Sequence, residues 1–356
     1  MASHGVPRVA QSRTAEEVER DRRRIEEYRS LEQSVRDKVS QGQYTAETLQ
    51  LITDLLTRNP EYYTIWNYRR LVRQQDLAQT KPELSDEAAT NKIAAIIKYE
   101  LEFLVPLLRQ HPKCYWIWNY RMWLLDQARA LLPRSVLVPF WQTELALVGK
   151  MLNADRRNFH GWGYRRFVVR TLEDLMPEER SSLTQSELEY STKMIRADFS
   201  NYSAWHNRTK LLQKYLDEKS ASDEERKKVL DEELEFAHRA LIDPYDQSIF
   251  FHHQDLMCTF DPALASQTLA PNLSDSERLQ YIREEKTVLL ETLDGAEDSK
   301  WLYQALIECE LLAAKIQGTL TAEAKADVQR WLSELMKLDP LRRGRWLDLQ
   351  ESLDKM

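Results

Sequence analysis

Glycine and cysteine are both scarce in this chain of 356 residues. Its eight glycines are roughly 2% of the sequence, against about 7% in an average protein. Rossmann, P-loop and all-β proteins need glycine in turns of positive φ and where backbone approaches a phosphate, so the shortage argues against all three classes. The three cysteines are too few and too scattered for a disulfide framework or a CxxC metal site, which favours a reducing compartment.

Long apolar runs and an excess of positive charge are also missing. No stretch reaches the ~18 apolar residues of a membrane span, and residues 1–10 contain no apolar run of the secretory type. Lys and Arg total 50 against 57 Asp and Glu, a formal net charge of −7, whereas a nucleic-acid-binding protein usually carries positive charge on its binding face. We therefore expect a cytoplasmic protein built mostly of helices, with no membrane span and no nucleic-acid partner.

What the sequence does contain is a repeated aromatic motif with a period of about 45 residues. The four strongest copies carry an arginine three residues after a tryptophan, and these tryptophans are Trp66, Trp118, Trp162 and Trp205. A fifth copy has Phe250 in the place of tryptophan, and weaker copies are placed on Trp301 and Trp346. Such a period in a glycine-poor chain predicts stacked helix pairs, which is an all-α superhelix or α-solenoid.

Each copy predicts the end of one helix and the start of the next. An amphipathic segment such as residues 49–56 precedes the motif, and Asn, Asp or Pro then ends that helix, because proline biases the preceding residue away from the helical region. A polar residue caps the second helix, which we expect to start at the tryptophan. We expect the tryptophans to pack between helix layers. The recurring arginines, Arg69, Arg121, Arg165 and Arg208, are expected to bind helix C-termini or acidic side chains of the adjacent repeat.

The sequence predicts one solenoid domain over residues 1–356, shaped as a right-handed crescent. Residues 1–45 would form an N-terminal tail and an Arg/Glu-rich helix, the helix over about residues 14–39. Residues 46–356 would form six or seven helical-hairpin repeats. No linker between them is long enough to require a second domain.

The period, the tryptophan and the arginine that follows it resemble the α-subunit repeat of protein prenyltransferases. Within that family, Asn158-Phe159-His160-Gly161-Trp162 and Asn201-Tyr202-Ser203-Ala204-Trp205 look like the Rab geranylgeranyltransferase (type II) α subunit. The α subunit of CaaX prenyltransferases usually has Gln two residues before the second tryptophan, where this chain has Trp116. The chain has no room for the immunoglobulin-like insert and leucine-rich repeats of animal members, so it resembles the short, fungal-like form.

This resemblance implies a heterodimer. The α subunit would wrap around a β subunit that holds the zinc and the isoprenoid pocket, and this chain would bind no metal itself. The enzyme would transfer geranylgeranyl from geranylgeranyl diphosphate to C-terminal cysteines of Rab GTPases presented by a Rab escort protein. A CaaX-type α subunit and a non-enzymatic solenoid scaffold are the alternatives.

The family motif also implies six candidate site residues when it is matched residue by residue. Lys113, Tyr115 and His160 would be catalytic, and Asn158, Phe159 and Tyr202 would bind substrate. Lys113, five residues before the second tryptophan, would stabilise the charge that develops on the leaving diphosphate; otherwise it is a solvated turn lysine. His160 is equally consistent with a capping or interface histidine, and Phe159 stands where a farnesyltransferase has tyrosine.

The histidines give no metal site within the chain. His252 and His253 are adjacent, and adjacent residues on a helix point ~100° apart, so both cannot face one ion. His4 is a separate case, because the resemblance implies that an N-terminal histidine could reach the β-subunit zinc as a self-inhibitory ligand. The alternative is that His4 belongs to a disordered tail.

Overall fold

The computed structural model describes residues 14–80 and 87–354, and within these residues it contains α-helices, turns and four short 3-10 segments, with no strand. The helices are α1 Ala15–Ser40, α2 Ala46–Arg58, α3 Tyr63–Gln79, α4 Glu87–Gln110, α5 Tyr115–Leu131, α6 Arg134–Ala154, α7 Phe159–Leu175, α8 Arg180–Ala197, α9 Tyr202–Glu218, α10 Asp223–Ala240, α11 Gln247–Met257, α12 Asp275–Leu293, α13 Lys300–Gln317, α14 Ala322–Leu338 and α15 Arg343–Asp354. The prediction of an all-α fold is confirmed.

Two compact units divide the chain, residues 1–148 and residues 149–356. The first contains α1 to α5 and most of α6, and the second contains the end of α6 and α7 to α15. The single domain over residues 1–356 and the right-handed crescent stay predictions.

The N-terminal helix α1 starts close to where its composition predicts. It begins directly after Thr14 because Thr14 and Glu17 form a reciprocal capping box: the Glu17 N–H donates to the Thr14 hydroxyl (3.2 Å), and the Thr14 N–H donates to the Glu17 carboxylate (3.0 Å). The second half of α1 carries the buried Val35, and α1 packs against α2. Tyr28 accepts a hydrogen bond from the Asn59 amide (2.9 Å) in the turn after α2, so α1 joins the first repeat.

Helices α2 to α15 form seven consecutive pairs, and the two helices of each pair are joined by a turn of four or six residues. The expected start of the second helix was wrong, because each helix begins three residues before its tryptophan rather than at it. Helix α7, for example, begins at Phe159, and Trp162 is its fourth residue. The cap explains the difference: the Asn158 side chain accepts the Gly161 N–H (3.0 Å), which starts the helix one residue after the asparagine.

The repeated tryptophans are core residues, as predicted. All four are at most 3% exposed. Each indole N–H also donates to the backbone carbonyl six residues earlier, in the turn that joins the pair: Trp66 to Pro60 (2.8 Å), Trp118 to Pro112 (2.9 Å), Trp162 to Arg156 (2.8 Å) and Trp205 to Phe199 (2.7 Å). One side chain therefore fills the core and fixes the turn that precedes its own helix.

Two of these turn carbonyls also accept a hydrogen bond from the following repeat. The Pro60 carbonyl accepts from the Cys114 thiol (3.4 Å), and the Arg156 carbonyl accepts from the Asn201 amide (2.8 Å). The turn thus sets the spacing between one repeat and the next as well as the geometry of its own pair.

The arginine after each tryptophan binds a glutamate on the first helix of the next pair, which confirms the second of the two roles expected for it. The contacts include Arg69–Glu100 (2.6 Å), Arg121–Glu144 (2.6 Å), Arg165–Glu187 (2.5 Å) and Arg208 Nε–Glu233 (2.8 Å). All four guanidinium groups bind their carboxylate through two nitrogens, the strong and directional form of this contact. These ion pairs join consecutive repeats.

The fifth pair replaces arginine by histidine at this joint. His253 lies three residues after Phe250, and its Nε2 is 3.0 Å from the Glu285 carboxylate on α12. His238 on α10 contacts the same carboxylate (2.9 Å). The neighbouring His252 faces a different partner, with its Nδ1 3.1 Å from the Thr209 hydroxyl, so the two adjacent histidines diverge as predicted.

The sixth copy of the motif was placed two residues too early. The residue that takes the tryptophan position is Tyr303, the fourth residue of α13, and its hydroxyl donates to the Glu297 carbonyl six residues earlier (2.9 Å). Trp301 instead packs against Phe250 and Phe251 of the preceding pair. A tyrosine hydroxyl reaches the same turn carbonyl as an indole N–H, so a search for tryptophan alone misses this copy.

Candidate functional site

The first residue of the second helix is an exposed aromatic in four consecutive repeats. The exposed fractions are 54% for Tyr63, 48% for Tyr115, 70% for Phe159 and 48% for Tyr202. The N-cap residue directly precedes each of these aromatics, with a side-chain cap bond at α7 and α9 but none at α3 and α5, and the buried tryptophan follows three residues later. The aromatic between them faces outward. We call these four side chains the aromatic row. Each unit contains two of these residues, and repeated exposure of large apolar groups within a unit is typical of surfaces that bind a partner.

In the first unit, Lys113 lies in the turn before α5 and Tyr115 is the first residue of that helix; both are exposed, on either side of the buried Cys114. Burial raises the pKa of the Cys114 thiol to about 11, so this residue is a packed thiol rather than a reactive thiolate. Trp116 contacts the rings of Tyr63 and Tyr115, both with centroids 5.2 Å away; it is tilted by 32° against Tyr63 and lies edge-to-face with Tyr115. At the position where a CaaX-type subunit would offer a glutamine amide, this chain therefore has the indole of Trp116, which packs in an aromatic cluster.

In the second unit, Asn158 ends the turn before α7, and Phe159 and His160 are the first two residues of that helix. Asn158 is 4% exposed and is the side-chain cap of α7, so its amide oxygen already accepts a backbone N–H. Phe159 is the most exposed member of the aromatic row, and the His160 ring lies 5.1 Å from the Phe159 ring. The structure brings these two rings together on the surface and assigns Asn158 a capping contact.

Tyr202 begins α9 and lies against two side chains that the sequence analysis missed. Its ring stacks on His206 (centroids 6.0 Å apart) and meets the edge of Phe251 (5.8 Å). Burial lowers the pKa of His206, and the charges of Arg166 and Lys210 lower it further, so this imidazole is neutral at pH 7. His206 could have been found from its position, because it lies four residues after Tyr202 on the same helix face.

The six candidate residues fall in two sets. Lys113 and Tyr115 belong to the unit of residues 1–148, and Asn158, Phe159, His160 and Tyr202 belong to the unit of residues 149–356. His4 lies outside the residues that the structure describes. The assignment of catalytic and substrate-binding roles to these residues stays a prediction.

The part of the chain that the structure describes offers neither a group of metal ligands nor a membrane-spanning helix. In residues 14–80 and 87–354, no three His, Cys, Asp or Glu side chains lie in an arrangement that could hold a metal ion. Among the helices of this same part of the chain, none is long and apolar enough to span a bilayer.

The repeats match a known family of proteins. Residues 45–76, 97–128, 141–172 and 184–215 match the protein prenyltransferase alpha subunit repeat. The fold is similar to that of a chain in the structure of Candida albicans protein geranylgeranyltransferase-I complexed with GGPP, with a TM-score of 0.61 over 92% of this chain and 91% of that chain. Since that chain is only 20% identical, the likeness concerns the fold alone.

The sequences of curated relatives identify the branch of the family. The geranylgeranyl transferase type-2 subunit alpha of Schizosaccharomyces pombe is 34% identical over 99% of both chains, and that of Saccharomyces cerevisiae is 31% identical over 93% of both. The human protein of the same name is 37% identical over 75% of this chain and 44% of its own length. The chain belongs to the family of geranylgeranyl transferase type-2 α subunits, and the expected likeness to its shorter fungal members is confirmed.

Proposed function

We propose that this chain is the α subunit of a heterodimeric enzyme that transfers geranylgeranyl from geranylgeranyl diphosphate to the C-terminal cysteines of Rab GTPases presented by an escort protein. The observation that carries the proposal is the near-full-length similarity to the two fungal type-2 α subunits. The enzyme is active only when the β subunit is bound.

The aromatic row supports the partner in this proposal. Four large aromatic side chains at equivalent, exposed positions would be covered by the β subunit, and burial of such a side chain contributes about 1.5–3 kcal/mol. A scaffold protein would equally present an aromatic surface, but the type-2 relatives favour the enzyme subunit.

On this chain, Lys113 supplies the charge closest to the chemistry. It lies in an exposed turn beside Tyr115, where its ammonium group would stabilise the negative charge that grows on the diphosphate as the carbon–oxygen bond breaks. Phe159, His160 and Tyr202 would line the substrate side of the second unit. Asn158 would act through its cap, by holding the first turn of α7 in place.

The zinc ion of the reaction belongs to the β subunit in this proposal. A catalytic zinc site needs three convergent protein ligands. The residues that the structure describes offer no such group, so they do not fit a zinc ion. The role left to this chain is to position the partner and the diphosphate.

We also place the protein in the cytoplasm. Cys114, Cys258 and Cys309 are all free thiols, and burial raises the pKa of each. Unpaired cysteines are typical of a reducing compartment.

The proposal is tested by co-expressing the chain with candidate β subunits and asking which one co-purifies at 1:1. The purified heterodimer should then prenylate a Rab GTPase only when an escort protein is present, and it should leave a CaaX peptide unmodified, since Trp116 occupies the carboxylate-binding position. Efficient prenylation of the CaaX peptide without an escort protein would show a CaaX-type subunit instead. Failure of every β subunit to co-purify would favour the scaffold.

A further inference from the structure

Two turns of the second unit are bound to each other through an arginine–aspartate pair. Residues 155–158 lead into α7 and residues 198–201 lead into α9. Arg157 Nε is 2.7 Å from one oxygen of Asp198, and Arg157 Nη2 is 2.7 Å from the other. This bidentate geometry fixes both the distance and the angle between the two groups.

The pair binds together the two places where candidate site residues of this unit lie. Arg157 is followed directly by Asn158, Phe159 and His160, and Asp198 lies four residues before Tyr202. The Asn201 amide, which donates to the Arg156 carbonyl (2.8 Å), adds a third bond between the turns. The position of Phe159 relative to Tyr202 therefore depends on these contacts.

The pair is poorly placed to stabilise the fold. The Arg157 side chain is 59% exposed and the Asp198 side chain is 20% exposed, and an ion pair with one partner mostly in solvent adds little stability. The Arg157 hydrogen bond nevertheless lowers the pKa of Asp198, as expected for a carboxylate held in fixed contact with a guanidinium group. Between the later turns 241–246 and 294–299, two separate hydrogen bonds take the place of the ion pair: Ser299 Oγ to the Pro244 carbonyl (2.6 Å) and the Tyr245 hydroxyl to Asp298 (2.6 Å).

We infer that Arg157 and Asp198 are positioning residues for prenyl transfer. They hold the turn of Phe159 and His160 in a fixed relation to Tyr202, so that both sets of rings meet the substrate at once. Neither residue touches the reacting atoms. This inference rests on the proposed function, since it assumes that Phe159, His160 and Tyr202 line the substrate side of the second unit.

The test uses the heterodimer with its β subunit and the variants Arg157→Ala, Arg157→Lys and Asp198→Asn. The Ser200 N–H donates to an oxygen of Asp198 (3.2 Å), and asparagine keeps an oxygen that can accept this bond. Asp198→Asn therefore removes the charge and preserves the local turn. We expect Arg157→Ala to slow single-turnover prenylation of a Rab–escort complex about tenfold, because small misplacements of positioning groups reduce rates strongly. Affinity for geranylgeranyl diphosphate and the melting temperature should hardly change. Arg157→Lys and Asp198→Asn should give smaller decreases, since each keeps one contact.

A matched control is available two repeats further along. Tyr245 in the turn before α11 donates to Asp298 in the turn before α13 (2.6 Å), and these two turns carry no candidate site residue. Tyr245→Phe should leave the single-turnover rate within about twofold of wild type.

Three results would overturn the inference. They are an unchanged rate in Arg157→Ala, a decrease that parallels a loss of melting temperature or of heterodimer, and an equal decrease in Tyr245→Phe. Failure of the proposed function looks different, because the wild-type heterodimer would then not prenylate the Rab–escort complex at all.

Discussion

Lys113 and Cys114 are consecutive residues of one turn, yet the first side chain is exposed and the second is buried. If Lys113 meets the diphosphate only as charge develops, Lys113→Ala should lower the single-turnover rate more than it weakens diphosphate binding. Loss of one such electrostatic contact costs about 3 kcal/mol, or about a hundredfold in rate. Stability should change by less than ~0.5 kcal/mol, as for most exposed residues. A single-turnover rate within about twofold of wild type would show that Lys113 is a surface lysine.

Arg69→Ala serves as the control for Lys113→Ala, because it should lower stability rather than the rate of prenyl transfer. Its side chain is 0% exposed and bound to Glu100, and removal of one partner of a buried ion pair costs about 3–5 kcal/mol. Arg69→Ala should therefore lower the melting temperature first, while the fraction that assembles with the β subunit should retain its rate. Thermal melts and size-exclusion chromatography of both variants separate the two effects.

At the scale of the helices, the joint between the fifth and sixth pairs has histidines in place of the arginine found at the first four joints. Burial acts to raise the pKa of Glu285, but hydrogen bonds from His238 and His253 outweigh it and lower this pKa to about 2. An unfolded glutamate has a pKa of about 4.3. The carboxylate therefore contributes stability above pH ~4.3, and this contribution, of the order of 3 kcal/mol, is lost as the pH falls through 2.

Glu285→Gln should remove that dependence on pH. We expect the free energy of unfolding of the variant to be lower at pH 7 and to fall less steeply between pH 5 and pH 3 than that of wild type, as measured by urea unfolding. The exposed neighbour Glu284 supplies the matched variant, Glu284→Gln, which should follow the wild-type curve. Equal slopes for wild type and Glu285→Gln would show that the carboxylate is not held by the histidines.

The helix pairs also show how far the sequence predicts this fold. The period and the apolar pattern predict the number and order of the helices, because both follow from local residue spacing. They do not predict the partner of Arg69, since Glu100 lies 31 residues away and many glutamates are available. Nor does the sequence reveal that Asn158 is a cap or that Tyr303 replaces tryptophan, because each depends on a hydrogen bond to a particular backbone group.

At the scale of the whole molecule, the aromatic row predicts dependence on a partner. A chain with four exposed aromatic side chains at equivalent helix starts should aggregate when it is expressed alone, and a β subunit that covers them should restore solubility. Size-exclusion chromatography of the chain with and without co-expressed β subunit measures this. A monodisperse monomer at high concentration would contradict the need for an obligate partner.

The turns inside the helix pairs differ from the connections between pairs in a way that bears on insertion tolerance. The inner turns have four or six residues, and in some of them one carbonyl serves both its own repeat and the next, as at Arg156. The connections between pairs range from 2 to 17 residues, the longest being 258–274. A short Gly-Ser insertion in residues 219–222 should therefore leave the melting temperature nearly unchanged, whereas the same insertion after Arg156 should unfold or strongly destabilise the second unit. Natural changes in length, and tags or fused domains added by design, are expected to accumulate in the connections between pairs.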